Sequence, residues 1–178
     1  MNIFICCSAK NNISKDIVND CKNLLELVLK ENDLLFGTCV DGIMGLSYQI
    51  AKKNNRKVSG LCPELYAGDF AKMNCDEEII TNGILDSTLK IIDRADAIIV
   101  LPGGFGTIYE FFTTLYSKIC KEHNLPVILY NSCGYYDKLI DFIETMYKEK
   151  FAEEEMRDKY FIINTPEEVQ SILDKIKN

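Results

Sequence analysis

The sequence predicts an α/β protein, a doubly wound and mostly parallel sheet with helices on both faces. Three observations lead there. Strand-like and helix-like patterns alternate along the 178 residues. The strand-like runs, such as "AIIVL" at 97–101, are continuously apolar, as strands buried on both faces are. Helical patterns separate those runs, as parallel neighbours require. One domain spanning 1–178 is expected, with no internal repeat and no low-complexity linker.

The elements follow in order. "NIFICC" (2–7) reads as a strand, followed by a turn of Ser, Lys and two Asn. Residues 14–30 carry helical spacing at Ile17, Cys21, Leu24, Leu25 and Val28, with Ser14 as the cap. Residues 33–37 give the second strand, ended by Gly37; 43–54 give a helix and 57–62 a strand. Residues 63–76, with Pro63, Gly68 and Asn74, read as irregular. "EEIIT" (77–81) is a short strand, 85–94 a helix, 97–101 a buried strand and 107–122 a helix. "PVILYN" (126–131), a helix over 135–150 and "YFIIN" (160–164) follow, and the charge-rich 149–159 reads as a solvated connection. The last helix starts at Pro166 behind the cap Thr165.

Composition narrows the function. A net charge of −7 argues against nucleic acid as a main partner. No apolar run approaches the roughly 20 residues a bilayer span needs, so no membrane is expected. The start carries no basic leader, which predicts a cytoplasmic protein. Eight cysteines, at 6, 7, 21, 39, 62, 75, 120 and 133, form no C-x-x-C, and there is one histidine. They read as reduced thiols used as small core residues, with no metal site.

The chemistry concentrates in "LPGGFGTIYEFF", 101–112. Gly103, Gly104 and Gly106 remove side chains where the chain turns from strand to helix, so the backbone can take positive φ and approach a ligand. Backbone N–H groups at the helix start, with the helix dipole behind them, favour an anion. Thr107, following Phe105 and Gly106, is read as the helix cap, with a hydroxyl for a phosphate. The spacing is neither a Walker A loop nor the dinucleotide fingerprint. Two readings stay open for the loop: a phosphate site, or a tight turn that binds nothing. Two stay open for Glu110: a capping-box carboxylate, or one facing a ligand's sugar.

"PGGFGTIYE" (102–110) resembles the PGGxGTxxE signature of the LOG family, the cytokinin riboside 5′-monophosphate phosphoribohydrolases also labelled lysine decarboxylase-like. "CCSA" (6–9) resembles the family's CGSS turn, and "FGTCVDGIMGLS" (36–47) its YGGGxxGLMG segment. "DRADAIIVLPGG" (93–104), "HNLPVILYN" (123–131), "GYYDKLIDFI" (134–143) and "INTPEEVQSIL" (163–173) extend the likeness over nearly the whole chain. The resemblance implies a Rossmann-like homodimer that hydrolyses the N-glycosidic bond of a nucleoside monophosphate such as AMP, releasing free base and ribose 5-phosphate. It implies Glu110 as the catalytic carboxylate, the 103–107 loop on the 5′-phosphate, and a nucleotide pocket built from Ser8, Gly37, Asp41, Gly42, Met44, Gly45 and Ser87. Nothing in the chain suggests a pyridoxal phosphate site, and no cofactor is expected. The apolar helix around Phe111, Phe112, Leu115 and Ile119 is expected to supply dimer surface.

The chain also departs from the family. The family's Arg-Lys pair, in the helix before the loop strand, falls on Ser87 and Thr88; Thr38 and Cys39 replace two glycines, and Cys7 a third. Lys90 and Arg94, three and seven residues beyond Ser87, are the candidate substitute cations. His123 matches a family histidine and reads as structural. A nucleotide sensor that does not cleave, and base exchange onto an acceptor, are the alternatives to hydrolysis.

Overall fold

The computed structural model describes residues 1–177; the last position of the expected domain span, Asn178, lies outside the described residues. Seven strands form one sheet in the order β4-β3-β2-β1-β5-β6-β7. They are β1 (Asn2–Cys6), β2 (Asp33–Phe36), β3 (Val58–Pro63), β4 (Glu77–Thr81), β5 (Ala97–Val100), β6 (Val127–Tyr130) and β7 (Phe161–Ile163). Every pairing is parallel, so the sheet is wholly rather than mostly so.

Six α-helices cover it: α1 (Lys15–Val28), α2 (Gly42–Lys53), α3 (Ile84–Arg94), α4 (Phe105–Ile119), α5 (Asp137–Lys148) and α6 (Pro166–Lys177). Helices α1, α2 and α6 pack on one face, burying Leu24, Leu25, Ile43, Ile50, Val169 and Leu173 against alternate residues of the strands. Helices α3, α4 and α5 pack on the other, through Ile91, Phe111, Leu115 and Ile143. The predicted spacings thus become buried stripes: in α1 the buried residues are Cys21, Leu24, Leu25 and Val28. Thr165 caps α6 as expected, its Oγ1 accepting from the Glu168 N–H at 3.4 Å and donating to the Glu168 carboxylate at 2.8 Å.

Residues expected to be irregular after β3 instead form a 3-10 segment, Glu64–Lys72, held by one buried side chain, Phe70. A single apolar anchor leaves no period to read. Among the described residues, no helix is long and apolar enough to cross a membrane. All eight cysteines are free; Cys6, Cys7, Cys21 and Cys62 are buried in the core.

Strand order reverses between β1 and β5: the chain winds outward from β1 to β4, returns to β5 and winds outward to β7. In doubly wound sheets, ligands bind at the carboxyl ends of the strands beside such a reversal. The turn after β1 and the 101–104 loop after β5 meet at that place.

Candidate active site

The two turns are tied together by their own backbones. Ser8 N–H donates to the Pro102 carbonyl at 3.1 Å, Leu101 N–H to Cys6 at 2.8 Å, and Met44 N–H to the Ser8 carbonyl at 3.1 Å. Ser8 therefore joins the ends of β1, β5 and α2. Asn11 completes the joint: its Oδ1 accepts from Gly42 N–H at 2.8 Å, and its amide donates to Asp41 at 2.9 Å. Gly42 has φ +63°, and a Cβ there would lie 2.7 Å from the Lys10 nitrogen and the Ser8 carbonyl. A Cβ on Gly45 would lie 2.0 Å from the Val40 carbonyl oxygen. Both glycines are required by the turn itself. Gly37 packs at ordinary distance against Met44, 3.5 Å from a built Cβ to the methyl.

Helix α4 begins at Phe105, two residues earlier than expected, with Gly104 as its cap and no side-chain cap hydrogen bond. Thr107 is therefore not the cap but the third residue of the helix, buried against Gly103; a Cβ on Gly103 would lie 2.0 Å from its Oγ1. The first intrahelical bond runs from Ile108 N–H to the Gly104 carbonyl. The N–H groups of Phe105, Gly106 and Thr107 precede it, so none has a carbonyl four residues back to meet. Neither Gly104 nor Gly106 has positive φ, contrary to expectation, and a Cβ on either would meet nothing within 4 Å. Phe105, between them, is 98% exposed. The loop is braced from beneath by two tyrosines at the start of α5: Tyr135 donates to the Gly103 carbonyl at 2.8 Å and Tyr136 to that of Leu101 at 2.7 Å.

Glu110 lies one turn into α4. It does not reach back to the cap; its Oε2 accepts from the Cys6 thiol at 2.7 Å. Burial pushes its carboxyl up from the ordinary 4.5 to about 7, while the Cys6 hydrogen bond pulls the other way. A carboxyl poised there changes charge across neutral pH, the range useful for acid–base work.

Of the two candidate substitute cations, Arg94 is drawn away from the loop. Arg94 lies seven residues beyond Ser87, about 10 Å along the helix axis. There it pairs with Glu77 at the start of β4, and its carbonyl accepts from Asn2 at the start of β1. It belongs to the amino-terminal ends of the strands, away from the loop. A shared helix face does not imply a shared end. Lys90 lies partly buried one turn beyond Ser87. Ser87 itself is buried, its hydroxyl 2.6 Å from that of Thr81 and 3.1 Å from the Gly83 carbonyl, stitching α3 to β4. His123 is structural: Leu125 N–H donates to its Nδ1 at 3.1 Å, so Nε2 carries the proton to the Thr114 carbonyl at 2.9 Å. Surface hollows also lie between α1 and α6 and beside Arg56 and Lys57. Neither borders the loop, and neither brings together comparable chemistry.

Sequence reasoning missed Asn11, Tyr135, Tyr136 and the tie of Cys6 to Glu110. It also missed what Thr38 does. This residue stands where the family has glycine and keeps a glycine's backbone, φ 49°, while 2% exposed. Its hydroxyl has no hydrogen-bond partner beyond a weak contact with the Cys62 thiol. A β-branched residue in that region is strained by about 1–2 kcal/mol. Thr38→Gly relieves that strain but adds glycine's entropic cost of about 0.5–1 kcal/mol and loses a buried side chain, so stability should stay within about 1 kcal/mol of wild type. Chemical denaturation measures this, and a loss of about 2 kcal/mol or more, the ordinary cost of truncating a buried side chain, would contradict the strain.

The signature loop, the braced switch point and the partly buried carboxylate can be set beside known proteins. A family described as "Possible lysine decarboxylase" matches residues 44–173. The chain is 32% identical over 142 residues to cytokinin riboside 5′-monophosphate phosphoribohydrolase LOG4 of Arabidopsis thaliana, covering 79% of this chain and 65% of that protein. It is 30% identical over 151 residues to a rice protein (Oryza sativa subsp. japonica) named "Probable cytokinin riboside 5′-monophosphate phosphoribohydrolase LOGL2", covering 84% and 62%. The chain belongs to the LOG family. The match takes in less than two thirds of these relatives' own length. Among solved structures, the molybdenum cofactor binding protein of Rippkaea orientalis superposes with a TM-score of 0.72 at 19% identity, covering 99% and 97% of the two chains. The molybdenum cofactor carrier protein of Chlamydomonas reinhardtii gives 0.67 at 14%, covering 98% and 96%. At those identities the likeness is one of fold.

Proposed function

We propose that this LOG-family chain hydrolyses the N-glycosidic bond of a nucleoside 5′-monophosphate, giving a free base and ribose 5-phosphate. The observation that carries the reading is Glu110. A carboxyl raised to about 7 sits one turn behind three helix-start N–H groups that the helix does not use. The N–H groups of Phe105, Gly106 and Thr107 hold the 5′-phosphate, with the helix dipole behind them. Anchoring that remote group fixes C1′ of the ribose. As the C1′–N bond breaks, its electron pair leaves with the base and positive charge grows on the ring. Ionised Glu110 stabilises that charge and accepts a proton from the water whose oxygen bonds to C1′; the departing base is protonated in turn. The names of the relatives support this reading.

One observation favours a second reading, a nucleotide-binding module with little turnover. None of the chain's three arginines lies at the crevice. Arg56 donates to the Asn54 carbonyl before β3, Arg94 pairs with Glu77, and Arg157 pairs with Glu144 and Glu154. Lysines supply the cations on this side: Lys10 is exposed in the turn after β1, and Lys72 is close enough to Asp41 to feel its charge. Incubation with a panel of nucleoside monophosphates, followed by chromatography for base and ribose 5-phosphate, separates the readings. Release of base by wild type supports hydrolysis. Calorimetric binding without release supports the module.

A homodimer is part of the same proposal. Phe111 and Leu115 are buried within the protomer, because α4 lies centrally over the sheet between α3 and Tyr160. On this side of the sheet, α3 and α4 leave Ile84, Leu85, Leu89 and Tyr116 more than half exposed. A second copy of this face is the proposed cover. Light scattering should give twice the protomer mass at micromolar concentration, and Leu85→Lys should shift it toward the monomer. A wild-type monomer would refute the interface.

A further inference from the structure

Cys6 ends β1 beside Val100 of β5, directly under the loop. Its side chain is buried, and it is the only protein group that hydrogen-bonds the Glu110 carboxylate among the described residues. The Sγ contacts two successive turns of α4, the Thr107 carbonyl at 3.5 Å and Glu110 Oε2 at 2.7 Å. We propose that Cys6 is a positioning residue for Glu110: its S–H donates to Oε2, fixes the carboxylate rotamer and leaves Oε1 for the ribose and the attacking water. This deepens the hydrolase reading and rests on it for its kinetic consequences, though the hydrogen bond can be tested without turnover.

The direction of the bond follows from the surroundings. The titratable groups facing this corner are the thiols of Cys6 and Cys7 and the Tyr136 phenol. Burial first, and the Glu110 charge second, hold the Cys6 thiol well above its usual range, so it stays protonated. A protonated thiol beside a carboxylate can only donate. The donation favours the charged form of Glu110 against the burial that opposes it. A rotamer held by the end of a strand is more sharply placed than one held by solvent. Serine at position 6 keeps a donor; alanine removes it and leaves the carboxylate unpartnered.

The experiment uses Cys6→Ala and Cys6→Ser in the full chain, with two readouts. The first is carbon-13 NMR titration of glutamate carboxyls, with the Glu110 signal assigned by its loss in Glu110→Gln. In Cys6→Ala the Glu110 midpoint should rise by about one pH unit, the worth of one hydrogen bond to a charged group. In Cys6→Ser it should stay near the wild-type value. The second is the pH profile of base release. Cys6→Ala should lower kcat roughly tenfold or more near neutral pH, with KM little changed and the ascending limb moved to higher pH; Cys6→Ser should recover most of it. An unmoved midpoint in Cys6→Ala, or a serine variant as impaired as alanine in both readouts, would overturn the proposal. If wild type releases no base, the hydrolase reading falls while the titration still decides the role of Cys6.

Discussion

Glu110→Gln should reduce turnover by about two to four powers of ten and, above neutral pH, make the protein more stable. Both effects come from one partly buried, desolvated carboxyl. Glutamine keeps the size and an oxygen to accept from Cys6, but it cannot carry charge. The oxocarbenium-like ribose then faces a neutral amide, and water has no base. Nucleotide affinity should change little if, as proposed, the loop holds the phosphate. In wild type, kcat should rise with pH and reach half its maximum near 7, where burial has set the carboxyl.

The stability effect has a definite sign. In the unfolded chain Glu110 titrates at its ordinary 4.5; in the folded chain at about 7. Between those values the folded state retains a proton that the unfolded state has released, so folding stability falls as pH rises through this window. Below it the group costs nothing, and above it the full cost persists. Glutamine removes that cost. The variant should gain at most about 3 kcal/mol over wild type at pH 8 and nothing at pH 4. Denaturation of both proteins at the two pH values measures it. Parallel pH dependences would show that the carboxyl is not held in a desolvated place, and the catalytic assignment would lose its physical basis.

The outline of this site was legible in the sequence wherever the signal was local. Apolar runs fixed the strands, and the spacing of Cys21, Leu24, Leu25 and Val28 fixed the buried face of α1. The nine residues 102–110 placed the loop at a strand end, where the sheet reversal then fell. What escaped were contacts between residues distant in sequence. Cys6 and Glu110 are 104 residues apart, Tyr136 and Leu101 35 apart, and Gly42 and Asn11 31 apart. No periodicity encodes such pairs. The start of α4 was misplaced because glycine supplies its cap and a solvent-facing Phe105 opens it, so neither usual signal was present. Arg94 was nominated by angle around the helix, which says nothing of height along it. The helix around Phe111, Phe112, Leu115 and Ile119 is apolar enough in sequence to suggest dimer surface, but which of these face the sheet depends on its neighbours: Phe111 and Leu115 are buried within the protomer, Phe112 and Ile119 only partly.

Gly106→Val should abolish nucleotide binding, by roughly a hundredfold or more in affinity, while leaving the fold as stable as before. The three loop glycines divide by what their missing side chains would touch. Gly103 serves the protein itself, since a Cβ there drives into Thr107 at 2.0 Å. Gly104 and Gly106 serve nothing within the protomer: their φ values are negative, and a built Cβ meets open space. Glycine in the first turn of a helix carries an entropic penalty of about 0.5–1 kcal/mol relative to alanine. A penalty with no internal return points outward, to a ligand that must come within reach of backbone N–H groups. Alanine at 106 should therefore raise stability slightly and already weaken binding; valine fills the space a phosphate oxygen needs. Gly103→Ala is the internal control and should destabilise by 1 kcal/mol or more through overpacking, by about the usual measure. Calorimetry with AMP and the other monophosphates, beside denaturation of each variant, separates the effects. Unchanged affinity in Gly106→Val would mean that the phosphate lies elsewhere, and with it the ribose that Glu110 is proposed to face.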